Sequence, residues 1–388
     1  MSFWENLETK DESIAVISIG SSSVGGMLSK REENGTIKVI AAAREPINFL
    51  LDVSFDAFWR CARQSLEKVL TKINDAEKPD KIFCIFSSPW FVSQRRLILK
   101  REKDSFYITK KLIEDIVDDE IKRLKESKKT NIASTQGETA LIERHAMKIT
   151  ANGNPIDITE RKKTTEIKVH AYISSGIKKT LNETREIIRE KLGWAKISFH
   201  TLPIVTTTEL KKTINAEKGF ILADIGGEIT DITLVEKNEI KEVASFPKGK
   251  NHVIRKISSR FKISLDEAQS LLNIYKKEHI KEKDAFAIKT ILQETKEDWL
   301  GFLYDTLEKI SENNKPLPSN LLLMSLDKLE QDFIKDIQSS QFTKFTNPGE
   351  RFIARQIMPK SLEHLFEIAQ GTKRDVFLMI ETLFAANQ

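Results

Sequence analysis

The sequence predicts an α/β protein built from two related halves, with a small α+β module inserted between them. A strand–turn–strand–turn–strand segment near residues 14–43 recurs in the same order near residues 219–246, which indicates an internal duplication. Between about 89 and 175 the pattern changes to one helix followed by strongly alternating strands. Together these observations favour two lobes of one architecture and a third, dissimilar unit.

The composition fits a folded protein and excludes several functional classes. The chain has 388 residues, 40% of them hydrophobic and 31% charged, which suffices for two or three domains with buried cores. A net charge of +5 with no Lys/Arg block gives no sign of a nucleic-acid partner. Two cysteines exclude a disulfide framework. With no apolar membrane span and no secretion signal apparent, we expect a cytoplasmic protein.

The first half begins with alternating strands and a helix. The turn "GSSS" joins two apolar strands, and Asn34-Gly35 is typical of a hairpin turn before the strand "IKVIAAA". Apolar residues at helical spacing predict a helix over 56–73, and "KIFCIFSS" is a buried strand. The inserted module is predicted to contain a helix from Thr109 to about Lys128 and two strands, "IERHAMKIT" and "TEIKVHAYI".

The second half repeats the strand pattern around "ADIGGEITD". If Ile19-Gly20 is aligned with Ile225-Gly226, Ser18 falls opposite Asp224. The other predicted elements are a helix over Thr180–Leu192, a strand near Ile197, a capping box "SLDE" at Ser264, a helix over about Ile291–Ile310, the strand "NLLLMSL" and a C-terminal helix over Val376–Phe384.

The second turn carries the stronger chemical signal. A strand that ends at glycine and turns back exposes unpaired backbone N–H groups, which favour anions. Asp224 at the strand end can position Mg²⁺ through water, so it is the candidate metal residue and, in an active enzyme, the candidate catalytic residue. The alternative is a tight hairpin with an acidic residue at its edge.

The first turn is weaker. Gly20 and the hydroxyls of Ser21, Ser22 and Ser23 can donate to phosphate oxygens, but Ser18 stands where the duplication predicts a second carboxylate. Serine is neutral and a poor partner for magnesium. A phosphate loop and a structural bend both fit this turn. The six histidines show no paired spacing, and no nucleophile elbow, Walker lysine or Rossmann fingerprint is present.

Over nearly all of residues 12–386 the chain resembles the cell-division FtsA family within the actin-like ATPase superfamily. The most similar stretch runs from "ILADIGGEITDITLVEKNEIKEV" through "ASFPKGKNHVIRKISSRFKISLDEAQSL", and "IFSSPWFVSQRR" is similar to the entry of the FtsA-type inserted subdomain. The turn "IGSSSV" is also similar to the related PilM proteins of type IV pilus assembly.

The resemblance implies a duplicated actin-like, ribonuclease H-like fold that binds ATP with Mg²⁺. The implied cofactor-binding residues are Gly20, Ser21, Ser22 and Ser23 in the first phosphate loop, Asp224, Gly226, Gly227, Glu228 and Thr230 in the second, and Gly249 and Lys250 at the cleft. The implied domains are 1–88 and 176–218 (first lobe), 89–175 (inserted subdomain) and 219–388 (second lobe, its upper part at about 251–310 reduced).

Several departures from the family pattern bear on activity. Ser18 replaces the Asp of the first loop, and Met324, Ser325 and Leu326 stand where a Gly-Gly turn should receive adenosine. No separate basic amphipathic helix follows the C-terminal helix. We therefore expect a degenerate nucleotide binder with little hydrolysis.

Three functional hypotheses remain open at this stage. The first is an FtsA-like scaffold that forms filaments, binds an FtsZ-like or other division protein and reaches the inner face of the cell membrane through a partner. The second is an active Mg²⁺-dependent ATPase that tolerates Ser18. The third is a PilM-like component of pilus or envelope assembly.

Overall fold

The computed structural model describes residues 12–48, 54–126, 137–157, 162–213, 219–311 and 315–388. These residues form three β-sheets with helices packed on their faces. Two of the sheets are the cores of two lobes, and the third lies between them in sequence. The predicted end of the second helix near Lys128 lies outside the described residues.

The first-lobe sheet has six strands in the order β15-β3-β2-β1-β4-β9. Residues of its central strand alternate between two cores. Ala15 and Ile17 face the helices α1 and α3, whereas Ile14 and Val16 face α4 and α9. The elements are β1 (Ser13–Ile19), β2 (Ser23–Arg31), β3 (Ile37–Pro46), α1 (Phe55–Asn74), β4 (Lys81–Phe86), α3 (Lys178–Leu192), β9 (Lys196–Thr201), α4 (Leu202–Thr213), β15 (Phe366–Glu367) and α9 (Val376–Ala386).

The inserted module is a four-stranded antiparallel sheet with one helix on its inner face. Its strand order is β5-β8-β6-β7, and Ile98, Val169 and Ile149 lie side by side under the helix. The elements are β5 (Val92–Tyr107), α2 (Lys110–Glu126), β6 (Thr139–Ala151), β7 (Asn154–Pro155) and β8 (Lys163–Ile177).

The second-lobe sheet has the order β12-β11-β10-β13-β14. Its outer face packs on α7 and α8. Its inner face shares one core with the first lobe, in which α4 contacts strands of both sheets and α9 packs on the first-lobe sheet and on α4. The elements are β10 (Phe220–Ile225), β11 (Thr230–Glu236), β12 (Glu239–Phe246), α5 (Asn251–Phe261), α6 (Leu265–Lys276), α7 (Glu282–Ile310), β13 (Asn320–Met324), α8 (Gln331–Ile337) and β14 (Ile353–Gln356).

The two lobes repeat the same strand arrangement, as the sequence predicts. In each, an antiparallel strand pair is joined by a short turn, and the first strand pairs in parallel with a later one, β1 with β4 and β10 with β13. Each turn is closed by an equivalent backbone hydrogen bond, which runs from Gly20 N to Ser23 O (3.1 Å) in the first turn and from Gly226 N to Ile229 O (3.0 Å) in the second. This internal symmetry places both turns at the same ends of their sheets.

Two predicted helix features have clear outcomes. The capping box at Ser264 is present, because Ser264 and Glu267 each accept from the other's backbone N–H. The expectation that α7 begins near Ile291 is wrong, since the helix starts at Glu282. Its extra N-terminal turns are held by Ile288, which is buried against α5 and α6.

Candidate functional site

The first turn, Gly20–Ser22, is fixed by contacts on both of its sides. The indole of Trp90 donates from Nε1 to Gly20 O at 2.8 Å. Ser23 Oγ accepts from the Arg44 guanidinium at 3.0 Å, and Arg44 also forms a buried ion pair with Asp375. These partners come from the loop after β4, from β3 and from the start of α9. The Ser23 hydroxyl therefore has a structural partner in this lobe.

The second turn, Gly226–Ile229, is fixed by the helix that follows its sheet. Glu228 accepts from both terminal nitrogens of Arg255, at 2.8 and 3.0 Å, and from the Asn251 amide at 2.8 Å. Thr230 Oγ1 donates to Lys248 O at 2.6 Å and accepts from Trp299 Nε1 at 3.0 Å. The side chains of Glu228 and Thr230, both predicted to bind the cofactor, are thus hydrogen-bonded to other groups of the protein.

Gly249 and Lys250 pack directly against the second turn. The backbone nitrogens of Lys250 and Asn251 donate to Gly226 O and Gly227 O at 3.0 and 2.9 Å. A Cβ at Gly249 would lie 2.4 Å from Gly227 O, so glycine is needed for this approach. The Lys250 ammonium lies 3.5 Å from the Asp327 carboxylate.

The two turns meet, and they meet in direct contact. Ser21 Oγ accepts from the backbone nitrogens of Gly227 and Glu228, at 2.8 and 3.1 Å. A Cβ at Gly227 would lie 2.9 Å from the backbone nitrogen of Ser22. The N–H groups that would hold an anion in the second turn are therefore occupied by a hydroxyl of the first.

The space left between the turns is small. A cavity of about 30 Å³ is lined by the two turns, Lys250, Leu326 and Phe377. A cavity needs roughly 10–15 Å³ to admit one water molecule. The site in this arrangement accommodates a water or two and has no room for a nucleoside triphosphate. Leu326, from the segment expected to replace the adenosine turn, forms one wall.

Three buried carboxyl groups lie at the base of the cleft. Asp224 and Asp231 occupy paired positions of β10 and β11, and Glu381 comes from α9. Burial, reinforced by the neighbouring acids, raises the pKa of Asp224 well above its usual range. Burial also raises the pKa of Asp231, against the opposing effect of hydrogen bonds from Ser245 and Ser88.

Glu381 takes the place of the carboxylate expected at Ser18. Ser18 Oγ donates to Glu381 Oε1 at 2.8 Å inside the core. Burial raises the pKa of Glu381 to about 8 despite the opposing effects of Arg44 and Ser18. Asp224 Oδ1 and Glu381 Oε2 are buried with no hydrogen-bond partner among the described residues. Such groups are favoured in the neutral, protonated form.

These carboxyl groups do not fit the predicted Mg²⁺–ATP chemistry in the closed arrangement. A magnesium site requires ionised oxygen ligands, whereas burial favours the neutral form of Asp224. Within the described ranges no group of three His, Cys, Asp or Glu side chains is arranged to hold a metal ion. The structure brings the predicted site residues together but leaves no site for the phosphates.

Sequence reasoning missed Glu381, Arg44 and Asp375. The signal for Glu381 was available, because it is the single charged residue within the apolar run "VFLMIETLF" and is fully buried. A lone carboxyl group in such a helix requires a polar partner inside the fold. Its partner Ser18 lies 363 positions away, so the sequence alone does not identify it.

Comparison with known proteins identifies the fold. No family model matches the sequence, and no curated protein is similar to it. Among solved structures, the PilM–PilN type IV pilus biogenesis complex matches with a TM-score of 0.61 at 14% identity, over 96% of this chain and 97% of that chain. The chain has a two-lobed actin-like fold. This confirms the predicted fold class.

Two further actin-like matches are weaker. The ethanolamine utilization protein EutJ from Carboxydothermus hydrogenoformans gives a TM-score of 0.46 at 11% identity, over 96% of this chain and 88% of that one. An actin-like ATPase-fold protein from Bacteroides thetaiotaomicron gives 0.44 at 9% identity, over 97% and 96%. In the described part of the actin-like chain no helix is long and apolar enough to cross a membrane.

Proposed function

We propose that this actin-like protein is a scaffold that acts by binding other proteins and does not hydrolyse ATP at its cleft. The observation that carries the proposal is the hydroxyl of Ser21 on the N–H groups of Gly227 and Glu228, which occupies the anion position. The buried, unpartnered Asp224 Oδ1 adds to it, because a neutral carboxyl cannot attract magnesium. Proteins of this fold generally bind nucleotide with Mg²⁺, so the closed cleft is a specific departure.

Two cellular assemblies suit such a scaffold. The PilM–PilN complex, the match with the TM-score of 0.61, is a protein–protein complex of type IV pilus biogenesis. We favour a PilM-like role in pilus or envelope assembly because that match extends over both lobes and the inserted module. The FtsA-like division role, with filaments and an FtsZ-like partner at the inner membrane face, is the second candidate. It rests on the family resemblance over nearly all of residues 12–386, which is greatest at 221–271.

A nucleotide titration tests the central claim. Purified protein is titrated with a fluorescent ATP analogue with and without Mg²⁺, and phosphate release from Mg-ATP is measured in parallel. We expect no saturable binding and release at background, unchanged in Asp224→Ala. Mg²⁺-dependent binding together with release that Asp224→Ala abolishes would show an active ATPase and refute the proposal.

Peptide binding separates the two assemblies. The chain is co-sedimented with an FtsZ C-terminal peptide and, separately, with the N-terminal peptide of a pilus protein of the PilN type. Selective binding of the pilus peptide supports the favoured role, and selective binding of the FtsZ peptide supports the division role. Electron microscopy of the same protein tests whether it forms filaments.

A further inference from the structure

The inserted sheet ends in a long strand with an open edge. β5 pairs with β8 on one side, and no other strand pairs with it among the described residues. Beyond its pairs with β8, no backbone hydrogen bond from 94–105 is found in the described part of the chain. An edge of this kind presents a row of unpaired N–H and C=O groups to any extended segment that approaches.

The side chains along this edge have a symmetric pattern. The β5 edge segment, Arg95–Arg101, reads basic-basic-apolar-apolar-apolar-basic-basic and contains no acidic residue. Ile98 packs inward under α2, so Leu97 and Leu99 project from the opposite face. Leu97 is 62% exposed and Leu99 is 50% exposed.

Neighbouring strands add basic side chains to that outer face, where Lys148 pairs with Glu239 and Lys168 pairs with Glu166. The register places Leu97 beside His170, which is beside Lys148, and it places Leu99 beside Lys168. Arg95 is exposed and has no ion pair within the described residues, whereas Arg101 pairs with Glu166 and Lys100 pairs with Glu102. On the opposite face of the strand, Arg96 Nε is buried and has no hydrogen-bond partner among the described residues.

We propose that the β5 edge segment binds an extended, acidic partner segment of another protein by strand addition. A strand laid along this edge would place apolar side chains beside Leu97 and Leu99 and acidic ones beside the flanking arginines and Lys100. The complementary sequence is three apolar residues flanked on both sides by acidic pairs. This inference rests on the proposed scaffold function and names the chemistry of one partner.

A second copy of the chain is a poor occupant. Antiparallel pairing of two such segments about Ile98 would set Arg95 against Arg101 and Arg96 against Lys100. Parallel pairing in register would set each arginine against itself, and like charges directly opposite are destabilising. The charges therefore select against self-pairing and for an acidic strand.

Protection of the edge against aggregation does not account for the whole pattern. Charged residues commonly guard exposed edges, and the flanking arginines fit that role. Two exposed leucines at the centre of the edge are the opposite of what protection requires. The segment is bounded by the bulge between Arg101 and Phe106, where regular pairing with β8 is interrupted.

The test uses the full chain and a fluorescein-labelled synthetic peptide with the core Glu-Asp-Val-Leu-Val-Asp-Glu. We expect saturable binding by fluorescence anisotropy, weakened about tenfold or more by Arg95→Glu and recovered when only the terminal glutamate of the peptide that faces position 95 is replaced by lysine. Lys122→Glu on α2, exposed and outside the edge, is the matched control and leaves binding unchanged.

Backbone pairing is tested separately from charge. A peptide N-methylated on the alternate residues that face β5 should lose binding, whereas methylation on the other alternate residues should not. Hydrogen exchange of β5 amides should slow in the complex. Equal binding by a scrambled peptide, or insensitivity to both methylation patterns, would overturn the proposal.

Two further outcomes are decisive. Binding of wild-type protein to phosphatidylglycerol vesicles, with β5 protected and no binding of the peptide, would assign the surface to a membrane and overturn the proposal. If the peptide does not bind, the expected result of the nucleotide titration is unchanged. If Mg-ATP binds, the scaffold function is refuted, but the expected result of the peptide experiment is unchanged. The two proposals therefore fail independently.

Discussion

At the scale of single residues, Ser21 explains why the cleft is closed. Two backbone N–H groups that would otherwise need an anion or water converge on one hydroxyl oxygen. Buried donors left unpaired are costly, so this hydroxyl stabilises the contact between the turns. The nest geometry that indicated a phosphate loop in the sequence is present, but its ligand is part of the chain.

Ser21→Ala should loosen the contact between the two turns. The substitution leaves the N–H groups of Gly227 and Glu228 without their acceptor, which we expect to cost about 1–3 kcal/mol in local opening. Faster hydrogen exchange of those two amides, measured by NMR, is the readout. Ser22→Ala is the matched control, because no hydrogen bond of its hydroxyl is found among the described residues. Equal exchange in both variants would contradict this role.

The sequence predicted the two turns but not that a hydroxyl of the first binds the N–H groups of the second. Gly20, Gly226 and Gly227 identify strand ends with free N–H groups because that is a local property of the backbone. The bond from Gly227 to Ser21 joins positions 206 residues apart and depends on how the lobes pack. A serine in such a loop is equally compatible with binding phosphate and with replacing it.

At the scale of elements, a buried carboxylate attaches the inserted module to the first lobe. Glu143 on β6 accepts from the Thr201 backbone nitrogen at 2.7 Å and lies 2.9 Å from His145 Nε2 and 3.0 Å from His200 Nδ1. Burial alone would raise its pKa, but hydrogen bonds and charge from the two histidines outweigh it and lower the pKa to about 2. The ionised carboxylate is therefore the stable form.

Glu143→Gln should destabilise the protein by about 2–4 kcal/mol near neutral pH, because the histidines lose their charged acceptor. The folded pKa is depressed below the ordinary 4.5, so the contribution of Glu143 is full above pH 4.5 and is lost as the pH falls toward about 2. Urea unfolding at several pH values measures it. The difference from wild type should be full at pH 5 and shrink as the pH falls below 4.5.

Glu138→Gln is the control for that experiment, since Glu138 is exposed and, in the described part of the chain, forms its ion pair with Lys178 at the surface. It should change the free energy of unfolding by less than about 0.5 kcal/mol. A similar loss in both variants would mean that charge in general, and not the buried Glu143 network, holds the module.

Alternation predicted the strands of the module but not this attachment. In "IERHAMKIT" a strict period of two gives no reason to bury Glu143. The register shift between Leu141 and Glu143 alters the local alternation, and Glu143 lies buried beside Thr201. A bulge depends on the pairing partner, so the sequence of one strand does not reveal it.

At the scale of the whole molecule, the lobes share a core that contains acidic groups. α9 packs against the first-lobe sheet and α4, and its core continues into the second-lobe sheet. Glu381 on α9 contributes to the raised pKa of Asp224 on β10 across that boundary. The duplication in the sequence predicts two lobes. Predicting the buried acids between the lobes would also require knowing which face of each sheet each helix covers.

Glu381→Gln should make the protein less sensitive to alkaline pH. The folded pKa of Glu381 is raised from 4.5 to about 8, so the folded state retains a proton that the unfolded state releases. Its contribution is full below pH 4.5, and wild-type stability is lost as the pH rises from there toward 8. Glutamine is neutral throughout and can still accept from Ser18. Wild type and variant should therefore agree within about 1 kcal/mol at pH 5.

By pH 8 the variant should be more stable than wild type, by on the order of 2–4 kcal/mol. Urea unfolding at pH 5, 6.5 and 8 measures the difference, and Glu367→Gln, at an exposed ion pair with Lys38, is the control that should follow wild type. Parallel curves for wild type and Glu381→Gln would show that the carboxyl is already ionised in the folded protein. The acids between the lobes would then repel one another at neutral pH, and the neutral form inferred here for Glu381 would be wrong.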